Sequence, residues 1–140
     1  EEAEILRRRV GRRDDAAGLE TVLAEAAFSG MREAIEGVHV DEDLGRYIAA
    51  ITCKTRGFPK VAVGASPRGS LALLKLARAW AAMEGRDYAL PDDVKLFAEQ
   101  ALAHRMVLDS SLWDVRRSEE GIVAEILRTV PVPLLARGDD

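Results

Sequence analysis

The chain has 140 residues, 48% of them apolar and 31% charged, with a formal net charge of −4; this composition excludes a disordered or fibrous protein. The acidic balance disfavours a dedicated nucleic-acid binder, and one cysteine with two histidines excludes a disulfide framework or a structural zinc site built on them. There is no apolar run of about 18 residues and no signal-peptide pattern, so the expected compartment is the reducing cytoplasm.

The first predicted helix runs from Glu2 to Arg9, with Ile5 and Leu6 as its apolar pair. The basic run Arg7–Arg13 reads either as a solvated helix face or as a contact to nucleotide, a neighbouring domain or an acidic partner. Asp14 to Gly18 reads as a loop or linker. From Leu19 to Ile35, Leu23, Ala26, Ala27, Met31, Ala34 and Ile35 recur at helical spacing, with Ser29-Gly30 as a candidate interruption. Val38-His39-Val40 is a short extended segment before an acidic helix start, Asp41-Glu42-Asp43. The next helix carries Leu44, Tyr47, Ile48, Ile51 and Thr55 on one face and closes with Lys54, Arg56 and Gly57. Cys53 falls near that face and reads as a small buried residue.

Phe58 to Gly64 reads as a loop. A helix then opens at Ser66 and ends at Gly85, with Leu73, Leu76, Ala77, Trp80 and Met83 on its apolar face. Tyr88-Ala89-Leu90 leads into Pro91-Asp92-Asp93, an echo of Val38–Asp43, and the two extended segments could pair as a minimal parallel ribbon. The helix after Pro91 buries Val94, Phe97, Ala98, Ala101 and Leu102. Beyond Arg105 the chain loosens through Arg117. A final helix presents Ile122, Val123, Ile126, Leu127 and Val130, and "VPVP" ends it in extended form. The expected fold is mainly α, a bundle of five to six helices.

Catalytic machinery is sparse. The sequence has no G-x-x-x-x-G-K-[ST], G-x-S-x-G, H-E-x-x-H or C-x-x-C. His39 and His104 are far apart and read as surface or structural residues. Trp80 and Trp113 read as packing anchors, and Asp92-Asp93 as complements to the helix dipole.

The unusual turn is Ser66-Pro67-Arg68-Gly69. Ser at the N-cap and Pro at the first helical position favour a helix start. Arg68 opposes it, because a cation meets the positive end of the dipole at a cost of about 0.3–1 kcal/mol. Gly69 costs about 1 kcal/mol of helix propensity. Arg68 lies about 100° from the apolar stripe, on the flank it shares with Lys75. It reads either as a surface arginine paired with a neighbour or as a phosphate ligand together with Ser66 and the first-turn amides. As a phosphate site it would be one half of a larger one.

The blocks "GASPR" and "GRDY-x-x-PDDV", within Gly64–Met106, with "YIAAITCKTRG" upstream at Tyr47–Gly57, resemble the C-terminal lid domain of the MoxR family of AAA+ ATPases. "EEAEILRRR" and "ILRTVPVP" support the resemblance less specifically. It implies that residues 1–140 form a single helical lid, with 1–17 a linker and first helix arriving from an ATPase core and 107–140 a C-terminal extension. It implies that Arg68 is the sensor-2 arginine, reaching the γ-phosphate, and that Ser66, Pro67 and Gly69 position that turn as nucleotide-binding residues. No metal ligand in the lid is expected; ATP and Mg2+ would be bound by the full-length protein. The implied partners are the protein's own ATPase core, neighbouring subunits of a ring (usually a hexamer) and proteins with von Willebrand A-type domains. The implied work is chaperone-like remodelling driven by ATP hydrolysis.

The opening residues Glu1-Glu2-Ala3, without a methionine, fit a piece of a longer protein, and the chain alone is expected not to hydrolyse ATP. Leu90 departs from the family pattern, which favours a Thr or Ser cap before Pro91. The alternative reading is a stand-alone helical protein–protein interaction module with no nucleotide role. A DNA-binding domain using Arg7–Arg13 and Arg116-Arg117 is the third.

Overall fold

A computed structural model describes residues 1–12, 20–109 and 118–134. The chain divides into two compact units, Glu1–Gly30 and Met31–Asp140. The first contains helix α1 (Glu2–Arg12), whose Glu4 pairs with Arg7 and Arg8 at 2.9 Å on an exposed face. Helix α2 (Glu25–Glu36) begins six residues later than the predicted segment and runs through Ser29-Gly30 without interruption. None of its residues is buried, although Ile35 is half-buried, so among the described residues its apolar face is largely uncovered.

The larger unit is built on helices α3 (Glu42–Arg56), α4 (Pro67–Met83), α5 (Pro91–Leu102) and α6 (Glu119–Thr129). Their apolar faces meet around Leu44, Ile51, Leu73, Val94, Leu102, Ile122, Val123 and Ile126, all fully buried or nearly so. Removing such groups from water contributes about 1.5–3 kcal/mol for each large side chain. The buried face of α3 is Leu44, Tyr47, Ile48, Ile51, Thr52 and Thr55. Thr52, not Cys53, completes it: Cys53 is exposed, because the centre of the stripe falls one residue earlier. The two buried threonines are satisfied locally, Thr52 Oγ1 donating to the Ile48 carbonyl (3.1 Å) and Thr55 Oγ1 to the Thr52 carbonyl (2.6 Å).

Helix α4 packs most extensively on α5. Its buried row is Gly69, Leu73, Ala77 and Ala81, one residue per four, so small side chains let the facing helix approach. Leu76 and Trp80 are half-buried beside that row, and Trp80 meets Phe97 edge-on with ring centroids 5.8 Å apart. Met83 lies past the end of the row and is exposed, contrary to its predicted place on the core face.

The segments before α3 and α5 do come together in parallel. The His39 N–H donates to the Asp87 carbonyl (2.7 Å) and the Ala89 N–H to the His39 carbonyl (3.0 Å), a single bridge at His39 and Tyr88. A second pairing was not anticipated. Val61–Val63 form strand β1 and Val107–Leu108 form strand β2, antiparallel, where the sequence reads as loop on both sides. Strands of three and two residues are too short to display alternation. At the end of the chain, Ser118 caps α6 through its hydroxyl, which accepts from the Gly121 N–H, and Val130 leaves the helix in extended form. Trp113 and Arg116-Arg117 lie outside the described residues.

Leu90 has no hydroxyl to cap α5, and the Asp93 N–H donates to the Leu90 carbonyl instead (3.1 Å). The Asp93 carboxylate accepts the Leu90 N–H (2.8 Å) and both terminal nitrogens of Arg86 (2.9 and 2.7 Å). Arg86 also donates to the Tyr88 carbonyl and lies over the Tyr88 ring. Donating to the Asp93 carboxylate holds the guanidinium above its usual pKa. Asp93 is buried, so it does more than complement the dipole: it joins the α4–α5 turn to the start of α5. Asp93→Ala leaves Arg86 without its carboxylate and the Leu90 N–H without an acceptor. The expected loss is roughly 2–3 kcal/mol of unfolding free energy, read from denaturant midpoints at unchanged slope.

Candidate functional site

The turn that opens α4 is fixed from below. Residues 64 to 66 cross the C-terminal turn of α3, and Gly64 touches it so closely that a Cβ there would lie 2.6 Å from both the Cα and the N of Arg56. Only glycine allows that approach. The next residue, Ala65, is fully buried, and both of its polar backbone groups are taken. Its N–H donates to Thr55 Oγ1 (2.9 Å), and its carbonyl accepts from Arg56 Nε (2.8 Å). Thus two consecutive side chains at the end of α3 grip one peptide unit on each side of the Ala65 Cα, immediately before the helix start.

Ser66 stands at the N-cap in extended conformation and Pro67 at the first helical position, as the sequence suggests. The Ser66 hydroxyl makes no capping hydrogen bond; the Gly69 N–H is taken instead by the Ser66 carbonyl at 2.8 Å. Gly69 therefore belongs to the packing beneath the turn and not to its outer surface. It is buried, and a Cβ there would sit 2.9 Å from Leu102 Cδ2 and 3.3 Å from the Ala65 Cβ. The helix-propensity cost of Gly69 is the condition for seating α4 against Leu102 and Ala65, so this residue shapes the turn without facing a ligand.

Ser66, Pro67 and Arg68 are exposed. Among the described residues Arg68 has no hydrogen bond or ion pair, so the reading as a neutralised surface arginine finds no partner here. The first turn of α4 contains no acidic residue to offset the dipole. The result is a patch with a permanent cation, an unengaged hydroxyl and a helix N-terminus, which is the chemistry that receives an oxyanion.

Thr55, Arg56 and Gly64 were missed as site-building residues. Thr55 reads as a core residue and Arg56 as a cation at a helix C-terminus, and both readings hold. What they do for Ala65 spans nine or ten residues, across the segment that carries β1, and leaves no periodic trace. The signal present was a glycine directly before a small residue and a helix start, which can mark a close backbone approach.

Among the described residues no group of three or more His, Cys, Asp or Glu is placed to hold a metal ion. His39 and His104 are exposed. No helix of the described residues is long and apolar enough to cross a membrane.

Comparison with known proteins identifies the family. Residues 53–126 match the AAA lid domain family. The chain is 40% identical over 116 residues to YeaC of Bacillus subtilis, an uncharacterized protein, covering 83% of this chain and 36% of that one. It is 41% identical over 73 residues to the chaperone MoxR1 of Mycobacterium tuberculosis, covering 52% and 19%. The solved structure of an inferred ATPase from Cytophaga hutchinsonii superposes with a TM-score of 0.77 at 29% identity, over 95% of this chain and 43% of that one. The chain thus spans about a third of YeaC and a fifth of MoxR1.

The grip on Ala65 is testable by itself. Thr55→Val keeps the shape of the side chain but leaves the buried Ala65 N–H without an acceptor. It is expected to cost about 1–3 kcal/mol in denaturant unfolding. The packed helical unit, the "GASPR" turn at the head of α4 and these matches agree: the chain belongs to the AAA lid domain family, as the lid of a MoxR-type AAA+ protein.

Proposed function

We propose that this lid closes over ATP held by a P-loop core elsewhere in the full-length protein, and that Arg68 is its sensor-2 residue. The observation that carries the reading is the placement of Arg68: exposed, without a partner among the described residues, and mounted on a helix start whose backbone is fixed to α3. A guanidinium aimed from a rigid mount is suited to a phosphate whose negative charge grows during transfer, and its fixed position removes the need to reorganise at that moment. Ser66 and Pro67 form the rest of the outer surface of the turn, the hydroxyl as a hydrogen-bond donor and the proline as the residue that sets its backbone. Gly69 contributes by letting the turn sit against Leu102.

The turn at Arg68 presents a cation and N–H donors, which suit a phosphate and repel Mg2+. The metal would be held by the core, with its own carboxylates and the nucleotide. In this reading the full-length protein is an ATP hydrolase, and the lid angle reports the state of the nucleotide to a ring of identical subunits, a hexamer by family pattern, in the cytoplasm. The output is chaperone-like remodelling of partner proteins, those with von Willebrand A-type domains among them. The naming of the Mycobacterium tuberculosis relative as a chaperone supports that direction. Within this division of labour, residues 1–17 form the linker and first helix arriving from the core and residues 107–140 the C-terminal extension of the lid.

Replacement of Arg68 by Ala in the full-length protein tests the reading. ATP turnover is expected to fall on the order of 100-fold, as when one donor to a developing charge is removed, with helical content and ring size unchanged. Turnover within about twofold of wild type would remove Arg68 from the chemistry.

A further inference from the structure

The geometry points to Arg56 as the positioning residue of Arg68, a role that rests on the reading above and adds a second arginine to it. Arg56 ends α3, where a cation complements the helix dipole, but its side chain does not turn back to the carbonyls of its own helix. Its Nε donates instead to the Ala65 carbonyl at 2.8 Å. The stem of Arg56 runs beside Gly64, where an added Cβ would lie 2.8 Å from the Arg56 Cγ. No carboxylate among the described residues pairs with Arg56, and among them the Ala65 carbonyl is the acceptor that its side chain finds.

Ala65 directly precedes the N-cap, and Arg68 follows three residues later. Rotation of the Ala65–Ser66 peptide would swing the whole first turn of α4. Thr55 holds the N–H of Ala65, and Arg56 holds the carbonyl, which belongs to the peptide that leads into Ser66. Arg56 therefore controls the bond nearest to the turn, and it does so from the surface, while Thr55 works from the core. A shift of about 1 Å in a positioned group is enough to cost up to 100-fold in rate.

The test is a double-mutant cycle on ATP turnover of the full-length protein, with Arg56→Met, Arg68→Ala and the pair. If Arg56 acts through Arg68, Arg56→Met lowers kcat by about tenfold or more, and the double variant is no slower than Arg68→Ala alone. Arg56→Lys, whose ammonium can still donate to the Ala65 carbonyl, recovers part of the loss and guards against a folding artefact in the methionine variant. Effects that multiply in the double variant would show that Arg56 acts independently of Arg68 and overturn the proposal. Wild-type kcat in Arg56→Met beside a slow Arg68→Ala would also overturn it while leaving the sensor-2 reading intact. Wild-type turnover in Arg68→Ala would overturn both.

Discussion

The constraint on which the site depends is the peptide group on each side of Ala65. A buried backbone N–H and a buried carbonyl must each find a partner, and unpaired they cost about 1–3 kcal/mol apiece. Here the partners are a threonine hydroxyl and an arginine Nε that are neighbours on α3. Satisfying Ala65 therefore joins two helices that are separated by the segment carrying β1. The same requirement dictates the glycine at 64, since the chain must pass within contact distance of the Arg56 backbone to reach both groups. Once Ala65 is placed, Ser66 and Pro67 start α4 in the one direction that lets Gly69 slide beneath Leu102.

Two features then carry that placement through the rest of the unit. The row of Gly69, Leu73, Ala77 and Ala81 brings α4 close to α5, and the turn that returns the chain is held by Asp93 with Arg86 and the Leu90 N–H. Helices α3 and α6 complete the core through Ile51, Ile122 and Ile126. The outer end of α4 is left with a cation and no acidic neighbour in its first turn. A stable fold tolerates that arrangement at a cost of a few tenths to 1 kcal/mol, and a phosphate facing the turn would reverse its sign.

Much of this architecture is legible in the sequence, where periodicity is strong. The inward faces of α3 and α5 follow from apolar spacing, and Tyr47, Ile51, Val94 and Leu102 are buried as that spacing predicts. The error at Cys53 is one residue of phase, with the small polar Thr52 taking the inward place. The periodicity of α2 reports an amphipathic helix but says nothing about what covers it. The β1–β2 ribbon escaped because two and three residues carry no pattern. At the site, Ser66, Pro67 and an outward Arg68 could be read directly from helix-start chemistry. The burial of Gly69 could not, because its reason is a leucine 33 positions away. The roles of Thr55 and Arg56 were hidden for the same reason: both are ordinary residues for the end of a helix, and only the return of the chain gives them a second task.

In the proposed role, the turn bearing Arg68 is organised before any nucleotide arrives. Amide hydrogen exchange of Ala65, followed in the nucleotide-free full-length protein, tests it most directly. A buried N–H bonded to Thr55 should be strongly protected, and adding nucleotide should change that protection little. Exchange of the Ala65 amide at the rate of an open loop, with protection appearing only when nucleotide binds, would contradict a preformed mount for Arg68.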